Sequence, residues 1–368
     1  MMSARHFGRY LLCLCLYYSG ILFLARAARL RRGRYRLVVL AYHSFSDGIS
    51  YLDMAVPPSL FRKQLRYLCR AFQVRPLASA LAARRGAGGV RGDTAVITVD
   101  DGYADNFQPL TDAAVALGAP STLYLTTGCI DTKRPTTVMS VMLAVHHAAA
   151  RSIDLSEFGL EVMPIQTPAE KESAIRAIDG YLKPLSPGRR QEVVDALIEK
   201  TGNSDRVREL ARSAMLSWDQ VRAMQAAGVE FGAHTVTHPV LSGLDSAAAR
   251  EEICASVQRV KEMLKSEAVD FAYPYGGPSE VDETAVEICR GSGARSAVML
   301  VEGEMRDGDW FNIPRTMVTN DRSTAPWGSY SRAVWACELE GLVDIARNLM
   351  LPAARRAAGA GRPREIRG

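Results

Sequence analysis

Beyond residue 35, the hydrophobic pattern alternates between short β-type runs and longer helical runs. Residues 36–42 are apolar and β-branched, which is typical of a buried strand. Phe61, Leu65, Leu68 and Phe72 then recur at steps of four, three and four, so they share one face of a helix. Further strands are predicted at 94–99, 121–126, 229–233, 270–273, 296–300 and 313–318. Further helices are predicted at 104–117, 218–227, 246–265, 280–290 and 330–350.

Strands that alternate with helices over this length predict parallel β/α units. Six or seven units without a clear reversal of strand order favour a distorted (β/α) barrel of about seven parallel strands over an open sheet. Residues 131–216 break the alternation because they are polar, helical in pattern and rich in Lys, Arg and Glu, so we expect a helical insertion or lid on the face where the strands end. The barrel domain is predicted at 35–350, between an N-terminal segment, 1–34, and a basic disordered tail, 351–368.

The N-terminal segment contains an apolar run at residues 10–25, which is shorter than the roughly 20 residues that cross a bilayer. Ala25 and Ala27 would form a poor signal-peptide cleavage site. The arginines that follow are typical of a cytoplasmic flank. We therefore predict an apolar N-terminal helix that contacts the membrane surface, as an interfacial helix or short anchor. A helix packed on the domain is the alternative.

Composition places the chain among ordinary globular proteins, with 48% hydrophobic and 23% charged residues. The net charge of +5 arises from arginines at the two ends, so we predict no nucleic-acid partner. The seven cysteines include no Cys-x-x-Cys pair, which indicates neither a disulfide framework nor a thiolate zinc site. Free cysteines and the flanking arginines favour the cytoplasmic side of the membrane, whereas a secreted polymer substrate would favour the other side.

Two carboxylates follow the strand at 94–99 in the sequence T-V-D-D-G. Asp100 and Asp101 are adjacent, and neighbouring carboxylates repel each other unless a cation or a proton intervenes. Catalytic residues of β/α barrels lie at the carboxyl ends of strands. A plain turn is the alternative, because Asp-Asp-Gly is also good turn chemistry.

Two further motifs follow strands. In G-A-H-T-V-T-H-P, His234 and His238 are four residues apart, so a helical turn would bring both imidazoles onto one face, as a divalent ion requires. Helix caps and packed core histidines are the alternatives. In F-A-Y-P-Y-G-G, the loop around Tyr275 has the composition of a turn that can direct backbone N–H groups at an oxyanion.

Taken together, these motifs resemble the polysaccharide deacetylase family, the NodB-homology carbohydrate esterases that act on chitin, peptidoglycan and exopolysaccharides. The family's T-F-D-D-G is similar to T-V-D-D-G here, its H-[ST]-x-x-H-P to H-T-V-T-H-P, and its R-x-P-Y-G to A-Y-P-Y-G. A-Y-H-S-F and M-L-S-W-D-Q-V resemble the exopolysaccharide-type members. The resemblance covers residues 36–320.

The resemblance implies a role for each motif residue. Asp101, His234 and His238 would bind a divalent metal ion, and Asp100 would act as the general base. The metal and the backbone N–H of Tyr275 would stabilise the oxyanion. Zinc suits these ligands best, although two imidazoles and a carboxylate also suit cobalt, nickel or iron.

Two positions depart from the family pattern. The arginine that precedes the motif proline is Ala272 here, and Arg315 is the candidate to replace it, with a structural salt bridge as the alternative. The family's late histidine, the general acid, has no counterpart because no histidine follows His238. His43 ends the first strand and is the candidate for an active-site role, with a structural hydrogen bond as the alternative.

The sequence therefore predicts a bacterial, membrane-associated hydrolase that removes N-acetyl groups from a hexosamine-containing polysaccharide or a lipid-linked glycan. An O-acetyl esterase or another amide hydrolase at the same metal site is one alternative. A catalytically inactive glycan-binding protein is another, and the two missing family residues motivate it. The four retained residues at 100, 101, 234 and 238 argue against the inactive form.

Overall fold

The computed structural model describes residues 4–48, 54–85, 92–306 and 308–342. The tail predicted at 351–368 and the end of the last predicted helix lie outside the described residues. The chain forms two compact units, one at 36–319 and one that combines 1–35 with 320–368.

The strands lie in one large parallel sheet and one small antiparallel hairpin. In chain order they are β1 (Leu37–Tyr42), β2 (Gln73–Val74), β3 (Thr94–Val99), β4 (Thr122–Leu125), β5 (Ser152–Ile153), β6 (Met163–Pro164), β7 (Glu230–Ala233), β8 (Phe271–Ala272), β9 (Ala297–Met299), β10 (Ile313–Pro314) and β11 (Thr316–Met317). The large sheet has the order β10-β9-β8-β7-β4-β3-β1-β11, and β2 also pairs with β3. Strands β5 and β6 form the hairpin.

The unit at 36–319 is a nearly closed barrel because the two ends of the sheet are consecutive in the chain. Strand β10 pairs with β9, β11 pairs with β1, and only Arg315 separates β10 from β11. One extended segment therefore joins both edges of the sheet, and when it is counted once the barrel has the seven strands that the sequence predicts. All six residues of β3 are buried, as expected for a parallel strand that is covered on both faces.

Helices cover the barrel, form the insertion and build the smaller unit. They are α1 (Ala4–Tyr18), α2 (Ile21–Arg31), α3 (Pro58–Ala71), α4 (Leu77–Arg85), α5 (Phe107–Leu117), α6 (Thr127–Thr132), α7 (Thr137–His146), α8 (Pro168–Leu182), α9 (Pro187–Lys200), α10 (Ser204–Arg212), α11 (Trp218–Ala226), α12 (Ser246–Arg250), α13 (Ser256–Leu264), α14 (Glu283–Gly291) and α15 (Arg332–Leu339). A π-helical segment, Glu251–Ala255, joins α12 to α13.

The insertion between α6 and α11 consists of α7, α8, α9 and α10 with the β5–β6 hairpin. It has its own hydrophobic core, in which Val141 and Val145 of α7 pack with Ile175 and Ile178 of α8 and with Val193 of α9. All four helices lie between residues 131 and 216. The hairpin was not predicted, because strands of two residues are too short to show an alternation of polar and apolar positions.

The smaller unit contains α1, α2 and α15. The predicted single apolar helix is two helices here, because Gly20 adopts a left-handed conformation with φ of 80° between them. Within the described residues, no single helix is long and apolar enough to cross a membrane. The pair α1–α2 meets the length and composition criteria together, but it bends by 63° at the break. The last predicted helix begins at Arg332, after the capping side chain of Ser331.

Gly232 provides a test of the barrel's packing. An added Cβ at this position of β7 would overlap the Tyr124 ring of β4 and the carbonyl oxygen of Asp270. We expect Gly232→Ala to lower the free energy of unfolding by about 1–3 kcal/mol, because the tight core cannot accept extra volume. Urea unfolding measures the change. Gly243→Ala is the matched control, since a Cβ there meets nothing within 4 Å. Equal unfolding midpoints for the two variants would contradict the described packing.

Candidate metal centre and active site

Polar side chains from several strand ends meet in one cavity of about 230 Å³ at the mouth of the barrel. They follow the carboxyl ends of four strands, β1, β3, β7 and β8, where a parallel barrel brings its loops together. The cavity includes the residues predicted from the three motifs and from the first strand, namely His43, Asp100, Asp101, His234, His238 and Tyr275.

Three of these residues have the arrangement of a metal site. The Oδ1 atom of Asp101 lies 3.2 Å from Nε2 of His238 and 3.6 Å from Nε2 of His234. One ligand atom from each residue lies within 4.8 Å of the others, and all three residues are buried. The Asp101 Oδ1 atom is also buried without a hydrogen-bond partner among the described residues. A divalent cation bound by all three would satisfy this atom, so the residues fit the predicted ion.

Both imidazoles are in the neutral form that binds a metal ion. Burial lowers the pKa of His234 to about 4 and that of His238 to about 3. The Nδ1 atom of His234 lies 2.7 Å from the carbonyl oxygen of Ala272, and as an N–H donor to that oxygen it leaves Nε2 with a free lone pair. Burial raises the pKa of Asp101, an effect that His234 and His43 oppose. A bound cation would likewise favour the ionised form of Asp101.

The loop between the two histidines is not the helical turn that their spacing suggested. Thr235 and His238 both adopt left-handed conformations, with φ of 64° and 62°, which reverse the chain after β7. The Thr235 hydroxyl accepts a hydrogen bond of 3.0 Å from the backbone N–H of His238. Asp101 and Tyr275 are left-handed as well, with φ of 76° and 58°. Such conformations are costly for residues other than glycine, and they concentrate at this site.

Glu252 holds the histidine loop in place, and sequence reasoning missed it. Its Oε2 atom accepts hydrogen bonds from the backbone N–H groups of Val236, at 2.8 Å, and Thr237, at 2.9 Å. Its Oε1 atom accepts a third from the Thr237 hydroxyl at 2.5 Å. Glu252 belongs to the π-helical segment, and such segments often occur at functional sites. The sequence carries no local signal for this contact, because Glu252 resembles any other charged residue on the polar face of an amphipathic helix.

Asp100 forms a buried, bidentate ion pair with Arg315. The Nη1 and Nη2 atoms of Arg315 each donate to one oxygen of Asp100 at 2.7 Å, and Nη1 also donates to the Thr98 hydroxyl. Burial alone would raise the pKa of Asp100, but Arg315 and, to a lesser extent, His234 and His43 bring it well below its ordinary value. Asp100 is therefore a carboxylate at neutral pH. Arg315 lies in the segment between β10 and β11 that joins the two edges of the sheet.

His43 lies beside this ion pair. Its Nε2 atom is 3.9 Å from Oδ2 of Asp100, and its Nδ1 atom is buried without a hydrogen-bond partner among the described residues. Its carbonyl oxygen accepts a hydrogen bond of 2.9 Å from the Asn106 side chain, which fixes the backbone at the end of β1. The neighbouring Ser44 hydroxyl contacts the Asp105 carboxylate. Asp105 and Asn106 thus support the end of β1.

The helical insertion forms one wall of the cavity, on the face where the strands end. Val138, Met139 and Met142 supply an apolar surface, and Asp179 and Lys183 supply charge. Lys183 lies 4.4 Å from the centre of the Tyr275 ring and 3.8 Å from the Asp179 carboxylate. The Tyr275 ring in turn lies 4.9 Å from the His238 ring. The insertion is therefore in direct contact with the site.

Comparison with known proteins identifies related families and folds. The sequence profile described as polysaccharide deacetylase matches residues 87–296. IcaB from Ammonifex degensii superposes with a TM-score of 0.50 at 19% identity, over 82% of this chain and 97% of its own. A polysaccharide deacetylase from Bacillus cereus superposes with a TM-score of 0.50 at 14% identity, over 83% of this chain and 69% of its own. At this identity the two likenesses establish the fold. A comparison with curated protein sequences finds no match.

Glu252 should determine how tightly the site binds a metal ion. Glu252→Ala leaves two backbone N–H groups of the histidine loop without their acceptor, so we expect a metal affinity about 10–100-fold weaker. Isothermal titration of the metal-free protein with zinc measures it. Glu251→Ala is the matched control, because this neighbouring glutamate is exposed and should leave the affinity unchanged. Equal affinities in the two variants would show that Glu252 does not position the loop.

Proposed function

The chain belongs to the polysaccharide deacetylase family, and on this basis we propose that it is a metal-dependent hydrolase that removes N-acetyl groups from a hexosamine-containing glycan. One observation supports this most directly. Asp101 lies within 3.6 Å of the Nε2 atoms of His234 and His238, while the adjacent Asp100 remains a separate carboxylate in the same cavity. A metal site beside an unbound general base is what metal-assisted hydrolysis of an amide requires.

In this proposal Asp101, His234 and His238 hold a divalent ion. When bound, the ion would polarise the acetamide carbonyl and lower the pKa of a water molecule toward about 7. Zinc is the leading candidate because it favours nitrogen and oxygen ligands of this kind, and cobalt, nickel or iron would accept the same set.

Asp100 is proposed to take a proton from the attacking water. Its ion pair with Arg315 keeps it ionised and fixes the direction of its two oxygens. The loop after β8 is proposed to direct the backbone N–H of Tyr275 at the developing oxyanion. Proton transfer to the leaving amine is assigned to His43, whose Nε2 atom lies beside Asp100 within the cavity.

The substrate proposal is an N-acetylated exopolysaccharide or a lipid-linked glycan of a bacterial cell. The apolar wall of Val138, Met139 and Met142 suits the C–H face of a sugar ring, and Asp179 with Lys183 suits its hydroxyl groups. We also propose that the enzyme is membrane-associated through residues 10–25, and a reporter-fusion test of topology decides on which side. A panel of N- and O-acetylated sugars, assayed for released acetate, distinguishes amide from ester hydrolysis.

Two substitutions separate catalysis from metal binding. Asp100→Asn should abolish acetate release while the protein still binds one metal ion, because the base is lost and the ligands remain. His234→Ala should lose both activity and metal. Acetate release and elemental analysis of the purified variants provide the two readouts. A normal rate in Asp100→Asn would overturn the assigned base, and a metal-free wild-type protein would favour the glycan-binding alternative.

Lys183 should contribute to substrate binding rather than to the chemical step. Its ammonium group is placed to donate to a sugar hydroxyl, and loss of such a charge-assisted hydrogen bond costs about 1.5–3 kcal/mol. We therefore expect Lys183→Met to raise KM by roughly 10–100-fold with little change in kcat. Lys200→Met, on α9 outside the cavity, is the control. Equal KM values for the two variants would remove Lys183 from the substrate site.

A further inference from the structure

The outward face of the two N-terminal helices is apolar. On α1, Phe7, Leu11 and Tyr18 recur at steps of four and seven, so they share one face, and all three are exposed. On α2, Phe23 is 70% exposed and Leu24 is 65% exposed. A helix on the surface of a soluble protein normally presents charged or polar residues on this side. Exposure of a contiguous apolar surface to water is unfavourable, so such a surface indicates a binding site for an apolar partner.

A residue from the other end of the chain adds to this surface. Trp327 is 61% exposed, and its ring contacts that of Tyr10 on α1 edge-on, with 5.2 Å between centroids. Tryptophan and tyrosine are enriched at the boundary between lipid and water because their rings are apolar while their N–H or O–H group is polar. We define the apolar face as these exposed residues of the smaller unit, namely Phe7, Leu11, Tyr18, Ile21, Phe23, Leu24 and Trp327.

The positive charge next to the apolar face indicates which kind of partner binds there. The first 46 residues contain eight arginines and no aspartate or glutamate. Arg26 and Arg29 pair with Glu340, but the exposed residues 31, 32 and 34 add three more arginines at and beyond the end of α2. A second copy of this chain would bring like charges together. An anionic lipid surface is complementary, at about 1 kcal/mol for each arginine near the headgroups.

The lengths of the helices indicate how they meet a bilayer. At about 1.5 Å per residue, α1 spans about 22 Å and α2 about 16 Å, and each is shorter than a hydrocarbon core of about 30 Å. The 63° bend between them prevents their lengths from adding along one axis. Short helices with an apolar face and flanking arginines are typical of segments that lie in the plane of the interface.

We propose that α1, α2 and Trp327 form a docking surface for an anionic lipid bilayer, with both helices lying along the interface rather than crossing it. The apolar face enters the boundary between headgroups and acyl chains, and the arginines at 31, 32 and 34 contact the anionic headgroups. This inference rests on and deepens the proposed membrane association of residues 10–25, and it does not depend on the proposed enzymatic activity.

Flotation of the full-length protein with lipid vesicles tests the proposal. We expect the wild type to float with vesicles of phosphatidylcholine and phosphatidylglycerol and to bind pure phosphatidylcholine at least several-fold less. Phe23→Ser/Leu24→Ser should reduce the partition coefficient by about tenfold or more, because two buried apolar side chains are lost. Arg31→Gln/Arg32→Gln/Arg34→Gln should remove the preference for phosphatidylglycerol, and Trp327→Ser should weaken binding.

Val115→Ser is the matched control, since Val115 is an equally exposed apolar residue on α5 of the barrel. It should bind vesicles as the wild type does. The proposal is overturned if wild-type protein stays with the lipid-free fraction, or if Val115→Ser lowers binding as much as the α2 variant. Binding that resists alkaline carbonate extraction would instead mean that the pair crosses the bilayer. A vesicle-free dimer that the α2 variant dissociates would assign the apolar face to a second copy.

Discussion

The burial of two adjacent carboxylates at the end of β3 is the constraint on which the active-site geometry depends. Asp100 and Asp101 are 1% and 4% exposed, and buried charges of like sign must each find a compensating partner. Asp100 has one in the guanidinium of Arg315. The Oδ1 atom of Asp101 instead faces the Nε2 atoms of two imidazoles with lowered pKa values. This asymmetry supports the proposal that Asp100 acts as the base and that Asp101 binds the cation.

One short segment both closes the barrel and supplies the charge that pairs with Asp100. Arg315 is the residue that separates β10 from β11, so the segment that joins the two edges of the sheet also positions the guanidinium. The same site concentrates left-handed residues at 101, 235, 238 and 275. The surrounding contacts hold these conformations, and the three hydrogen bonds of Glu252 to the histidine loop are the clearest example. In the proposed metal centre, the positions of the ligand residues would therefore depend on residues outside the ligand set.

The sequence was sufficient for the barrel and for most of the cavity, for a physical reason. Parallel strands place their carboxyl ends at one mouth, so a motif directly after a strand locates its side chain without knowledge of tertiary contacts. His43, Asp100, His234 and Tyr275 all follow this rule. Glu252 and Lys183 do not follow a strand. Each contacts the site from a helical segment, and the local sequence pattern does not specify how that segment packs. The break between α1 and α2 at Gly20 was not predicted for a similar reason. A continuous apolar run gives no sign of the change in backbone direction.

X-ray absorption spectroscopy of the purified protein with one equivalent of zinc tests whether Asp101, His234 and His238 bind the same ion. We expect one bound ion per chain, coordinated by two imidazole nitrogens and carboxylate oxygen, with no sulfur ligand. The spectrum of Asp101→Ala should show that the oxygen ligand has been lost or the ion released. A sulfur-coordinated ion, or an unchanged spectrum in Asp101→Ala, would show that the three residues do not form the metal centre.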